Sequence, residues 1–140
     1  MRLLLLHVDY LDYAVTKATK YAEAVEDSSR QGRMEEALVV FAAAERSDEE
    51  AIDAVAQDTA DVIRDVATKV ATEKVVLYPY AHLSSDLASA ENAVEIMRKI
   101  ERLLSGYDVL RAPFGWYKSF SLKCKGHPLS ELSRTITPAK

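Results

Sequence analysis

The sequence predicts an α/β domain in which a mixed β-sheet is covered by two main helices and a short C-terminal helix. Three observations predict it. Aliphatic runs of strand length, Arg2 to Val8, Leu38 to Ala44 and Lys74 to Tyr80, recur along the chain as strands covered on both faces do. Two longer stretches between and after them place apolar residues at helical spacing. A late run, Trp116 to Lys125, alternates apolar with polar residues. A chain of 140 residues is one domain, 1–140, able to bury roughly two-thirds of its unfolded surface in one core.

Taken in order, Arg2 to Val8 opens the sheet, and Asp9 to Val15 alternates, so the extended chain continues past a bend as a half-exposed ribbon. Thr16 to Glu36 is polar, carries the loop markers Ser28, Ser29 and Gly32, and reads as an irregular connection. Leu38 to Ala44 is the second strand. Ser47-Asp48-Glu49-Glu50 has the form of a capping box, and Ile52, Val55, Ala56, Thr59, Ile63, Val66 and Val70 follow on one helical stripe. Lys74 to Tyr80 is the third strand, stopped at Pro79, which cannot donate to a ladder. The second helix carries Ala93, Ile96, Met97, Ile100 and Leu104, with Ser84, Ser85 or Ser89 as its cap and Gly106 as its stop. Val109 to Ala112 and Trp116 to Lys125 read as a strand pair around the Pro113 to Gly115 turn, and Pro128 to Arg134 as the short terminal helix.

Composition narrows the function. The apolar opening is too short for a signal core or a membrane span, so a cytoplasmic protein without a membrane partner is expected. Cys124 is the only cysteine and His7, His82 and His127 are isolated, which points to no metal, and no glycine-rich phosphate loop suggests a nucleotide cofactor. No cofactor is expected. The net charge of −4 argues against a domain that grips nucleic acid by its own field. That average hides an asymmetry: Met1 to Met97 carries 9 Lys and Arg against 19 Asp and Glu, whereas Arg98 to Lys140 carries 9 against 3.

Lys118 lies in the basic third. In the alternation of Trp116 to Lys125 it shares a face with Trp116, Phe120, Leu122 and Cys124. An ammonium on an apolar face must be paired, reach a cleft or give up its proton, because burying it alone is costly. Its stem can also pack while its head reaches water at a strand edge. His82, just beyond the carboxyl end of the third strand, stands where open α/β sheets hold ligands and is the candidate acid, base or donor. Glu131 belongs to a segment that could fold back over Lys118 and hold it charged, or it is an exposed carboxylate. Glu45 and Asp48 most simply end a strand and cap a helix. Tyr78, Tyr80, Phe114, Trp116 and Tyr117 form two aromatic patches able to pack in the core or sandwich a base. The residues alone thus point to an α/β domain with a cleft of Lys, His and Glu, suited to water-mediated hydrolysis or to binding.

Five blocks in this order, RLLLLHVDYLDY, GRMEEALVVF, YPYAHLSSDLA, APFGWYKSF and CKGHPLSELSRTI, extend over nearly the whole chain. On these blocks the sequence resembles the N-terminal editing domains of archaeal threonyl-tRNA synthetases, related in fold to D-aminoacyl-tRNA deacylases. The resemblance implies removal of L-serine mischarged onto threonine tRNA, by hydrolysis of its ester to the terminal adenosine. It implies a catalytic set of Lys118, Tyr117, His82 and Glu131, with Glu131 holding Lys118 and His82 positioning the substrate. Backbone around Ala44 and Ala81 would contact the aminoacyl group, Pro79 and Phe114 would hold the adenosine, and Glu45, Tyr80 and Gly115 complete the substrate-binding set. A ribose hydroxyl of the tRNA is expected to assist. The implied partners are threonine tRNA, a synthetase body in cis or in trans, and a second copy in a homodimer. Two further readings stay open: a chirality editor that clears D-amino acids from tRNA, and a non-catalytic tRNA-binding module.

Overall fold

The longest strand of the computed structural model, which describes residues 1–138, is the one the sequence opens with: β1 runs Arg2–Ala18. It is followed by β2 (Gln31–Ala43), α1 (Ile52–Lys69), β3 (Lys74–Pro79), α2 (Ala90–Leu103), β4 (Asp108–Arg111), β5 (Trp116–Cys124) and β6 (Glu131–Thr135). The six strands form one sheet in the order β4-β3-β2-β1-β5, with β6 also paired to β1. β2, β3 and β4 are mutually parallel, so each step needs a crossover, and α1 and α2 supply them. β1 is antiparallel to β2, β5 and β6. No helix among the described residues is long and apolar enough to cross a membrane.

Both helices pack on one sheet face, where Leu3, Leu5, Leu38, Val40, Val75 and Leu77 meet Val55, Ile63, Val66, Ile96, Met97 and Ile100. The opposite face buries Val8, Leu11, Tyr13, Val39, Phe41, Val76 and Tyr78. Covering both faces is what the aliphatic runs required. The second face is covered by the sheet itself. In a flat sheet β5 would lie about 14 Å from β3, three strand spacings away. Instead the Phe120 ring of β5 sits 5.3 Å from the Tyr78 ring of β3 and 5.8 Å from Phe41 of β2. The sheet therefore curls, and β5 folds over the carboxyl end of β3.

Four expectations change. The irregular connection shrinks to 19–30, because β1 and β2 extend as a long antiparallel ribbon whose Tyr13 lies opposite Gly32. A Cβ at Gly32 would sit 2.7 Å from the Tyr13 ring, so the glycine read as a loop marker is a packing residue in a strand. The capping box lies two residues earlier than Ser47 to Glu50: Glu45 and Asp48 cap a 3-10 turn at Arg46–Glu50, and α1 starts after it. β4 and β5 do not form a hairpin; β4 pairs with β3, and β5 crosses to β1. The terminal helix is a strand. Leu132 pairs with Leu5 and Arg134 with Leu3, which completes the β1 edge that β5 leaves open below Val8. Backbone pairing demanded by a buried strand outweighed the local Pro128 signal.

Candidate functional site

The curl encloses a cavity of about 720 Å³ between the end of β3, the turn behind it, the start of α2 and the first half of β5. Its walls include Tyr78, Pro79, Tyr80, Ala81, His82, Phe114, Gly115, Trp116, Tyr117, Lys118 and Phe120. Of the five large hydrophobic residues that are exposed among the described residues, four (Tyr21, Leu87, Tyr117 and Phe120) line it. Apolar side chains gathered at one mouth mark a binding surface rather than scattered surface residues.

Lys118 is the cation of this cavity. The alternation of β5 turns its side chain inward, half-buried, where Nζ donates to the Trp116 carbonyl at 3.1 Å and stands 5.0 Å from the centre of the Tyr78 ring. Burial pulls its pKa down to about 8, opposed by the charge of Glu23. At neutral pH it is mostly an ammonium, but one that releases its proton far more readily than a surface lysine. The ring face and the carbonyl aim it without neutralising it.

Glu23, in the 19–30 connection, ties the opposite wall together. Its carboxylate accepts from Arg111 at 2.5 and 3.3 Å, from Arg98 at 3.4 Å and from the Phe114 amide at 2.7 Å. Its backbone carbonyl accepts from the Trp116 indole at 3.0 Å. Burial pushes the Glu23 carboxyl up, but the hydrogen bonds from Arg111 and Phe114 outweigh it and hold the group below the usual carboxylate range. One residue earlier in β5's approach, Gly115 takes φ +81°, and a Cβ there would lie 2.4 Å from the Tyr21 carbonyl oxygen. Thr19 adds a hydrogen bond from its hydroxyl to the Gly115 carbonyl at 2.6 Å. The connection is thus fastened to the loop that carries Phe114.

Eight of the residues singled out from sequence meet at the cavity: Pro79, Tyr80, Ala81, His82, Phe114, Gly115, Tyr117 and Lys118. His82 is exposed on a 3-10 turn at Ala81–Leu83, its ring 5.3 Å from that of Tyr80. Ser84 and Ser89 are occupied structurally: Ser84 donates to Glu45 at 2.7 Å, and Ser89 caps α2. Ala44 and Glu45 stand one layer behind the cavity wall, where the Ala44 carbonyl accepts from Ala88 and Glu45 bridges to Leu87. Glu131 does not reach Lys118 of its own chain. It pairs with Leu6 on β1 whereas Lys118 pairs with Val15, about 30 Å further along the strand. The expected terminal helix would have allowed the segment to fold back; β6 carries it the other way.

Glu23 and Arg111 escaped the sequence reading, because a lone glutamate in a polar stretch and an arginine at a strand end carry no pattern. Tyr78 was legible as half of an aromatic patch, but its place under Lys118 was not.

The family model described as the archaea-specific editing domain of threonyl-tRNA synthetase matches residues 1–136. The chain is 53% identical over 137 residues to the threonine–tRNA ligase of Methanothrix thermoacetophila, covering 97% of this chain and 22% of that protein. It is 51% identical over 143 residues to the enzyme of Thermococcus kodakarensis, covering 100% of this chain and 23% of that one. It therefore spans less than a quarter of the length of these relatives. Among solved structures, the c-Myc DNA unwinding element binding protein superposes with a TM-score of 0.65 at 11% identity, over 99% of this chain and 100% of that one, which is a likeness of fold. With its sequence matched over residues 1–136 and its fold and cavity as described, the chain belongs to the family of archaea-specific editing domains of threonyl-tRNA synthetase.

Proposed function

We propose that this domain hydrolyses L-serine from threonine tRNA. The observation that carries the reading is the desolvated Lys118 ammonium aimed into the cavity from the face of Tyr78, in a chain of the editing-domain family. The need for such a site is physical. Serine lacks one methyl of threonine, and one methyl discriminates by only ~1 to 3 kcal/mol, so accuracy beyond that requires a second, hydrolytic sieve. A sieve that admits the smaller product and turns away threonine by size is the workable form.

In the proposed reaction a water held beside Lys118 attacks the ester carbonyl. The carbonyl oxygen gathers negative charge that the ammonium stabilises, the bond to the terminal ribose oxygen breaks, and that oxygen leaves with a proton, giving serine and intact tRNA. A neighbouring ribose hydroxyl relays the proton. His82 and Tyr117 orient the aminoacyl end, the Ala81 backbone contacts it, and Ala44 and Glu45 shape that end from behind. Pro79, Tyr80, Phe114 and Gly115 hold the adenosine. Negative net charge is compatible with this work where a synthetase body holds the same tRNA, since tethering replaces intrinsic affinity with effective concentration. The proposal includes a homodimer that covers the free β5 edge, which light scattering would reveal.

The test is deacylation of threonine tRNA charged with L-serine, D-serine or L-threonine, beside Lys118→Met. Release of L-serine alone, lost in the variant, supports the reading. Release of D-serine alone makes the domain a chirality editor, and no release from any of the three leaves a binding module or a domain that acts only with its synthetase body.

A further inference from the structure

Beside the main cavity lies a second one of about 470 Å³, and Tyr21 lines both. Tyr21 is 57% exposed, with the Lys20 ammonium 5.1 Å from the centre of its ring. Its backbone, by contrast, is fixed on both sides. The Tyr21 amide donates to the Thr19 hydroxyl at 3.1 Å, the Thr19 amide donates to the Gly115 carbonyl at 3.0 Å, and the Glu23 amide donates to the Phe114 carbonyl at 3.0 Å. An exposed aromatic ring on immobile backbone, with a cation beside it, has the construction of a platform for a stacked base. It contributes nothing evident to the core.

We propose that Tyr21 stacks the nucleotide immediately 5′ of the terminal adenosine, and that the second cavity receives that nucleotide. The inference rests on the tRNA reading above. With the adenosine at Pro79 and Phe114, a strand leaving past Gly115 meets Tyr21, whose backbone packs against Gly115 and which lines both cavities. Across the ring, Arg98 and Arg102 line the second cavity together with Glu91 and Glu95, while Glu23, which also lines it, is already engaged by Arg98 and Arg111. The guanidinium donors suit a phosphate or a base carbonyl, and the carboxylates accept from an exocyclic amino group. Together they match cytosine, which offers one amino donor beside ring and carbonyl acceptors and which precedes the terminal adenosine in every mature tRNA.

The test compares two probes on the 140-residue chain: an RNA hairpin ending in single-stranded C-C-A, and adenosine monophosphate. In Tyr21→Ala the dissociation constant for the hairpin should rise roughly 5- to 150-fold, the range seen when one stacking ring is removed. Binding of adenosine monophosphate should weaken by a much smaller factor than the hairpin's, and Tyr21→Phe should match the parent on both probes. Equal weakening of both probes in Tyr21→Ala, or an unchanged hairpin constant, overturns the platform. Binding is read without hydrolysis, so a failure of the serine-editing proposal in the deacylation assay is a separate result.

Discussion

Replacing the residue proposed to drive the chemistry should make this protein more stable. Lys118 is held charged in a place that penalises charge: burial draws its pKa from 10.5 to about 8. A downward shift of that size corresponds to at most about 3 kcal/mol of destabilisation below pH 8, at 1.36 kcal/mol per pH unit. Lys118→Met keeps the unbranched stem in its slot beside Tyr78 and removes the charge. Solvent access at the cavity mouth and the lost hydrogen bond to the Trp116 carbonyl reduce the gain, leaving about 1.5 kcal/mol. The sign has a pH signature. Below pH 8 the lysine is protonated in both states and the native state bears the full penalty. Between pH 8 and 10.5 the unfolded chain binds the proton and the native state sheds it, so wild-type stability rises with pH; above 10.5 the penalty is gone. Urea unfolding at pH 7 should place the variant's midpoint about 1 M above wild type, narrowing steadily toward pH 10. A variant less stable than wild type at pH 7, or a stability difference flat from pH 7 to 10, would refute the view that Lys118 is kept against a desolvation penalty.

Two more substitutions probe the wall opposite Lys118. Glu23→Ala leaves the Arg111 guanidinium, only 15% exposed, without its main partner and should cost about 3 to 5 kcal/mol by urea unfolding. Glu23→Gln should cost less, and it should remove a pH dependence: the depressed native pKa of Glu23 adds stability above the unfolded value of 4.5, which wild type loses as pH falls through the native value. Gly115→Ala forces a Cβ to within 2.4 Å of the Tyr21 carbonyl at a positive φ, so a loss of about 2 kcal/mol or more is expected, read as a melting temperature lower by several degrees.

Much of the fold is legible because it is local. Continuous aliphatic runs and period-3.6 hydrophobicity mark the two strands and two helices between Leu38 and Gly106, and those strands are buried on both faces as their composition requires. Three of the four errors fall where partners are distant in sequence. Nothing local in Pro128 to Arg134 shows that the unpaired edge of Arg2 to Leu6 awaits it, and a turn between two strands does not say whether they pair with each other or with others. The inward turn of Lys118 could be read from alternation alone, as could the station of His82 beyond a strand end.

What the sequence by itself determined was the two main helices and the aliphatic strands, the inward Lys118 and the five blocks that match the editing domains, since each is carried by residues within a few positions of one another. Tertiary structure alone decided what meets Lys118. A strand three places away in the sheet reaches it only because the sheet curls, so a ring, Tyr78, and a carbonyl hold the ammonium where a carboxylate had been expected. Curvature is set by packing across the whole sheet, as Phe120 closes on Phe41 and Tyr78, and no short stretch of sequence encodes it.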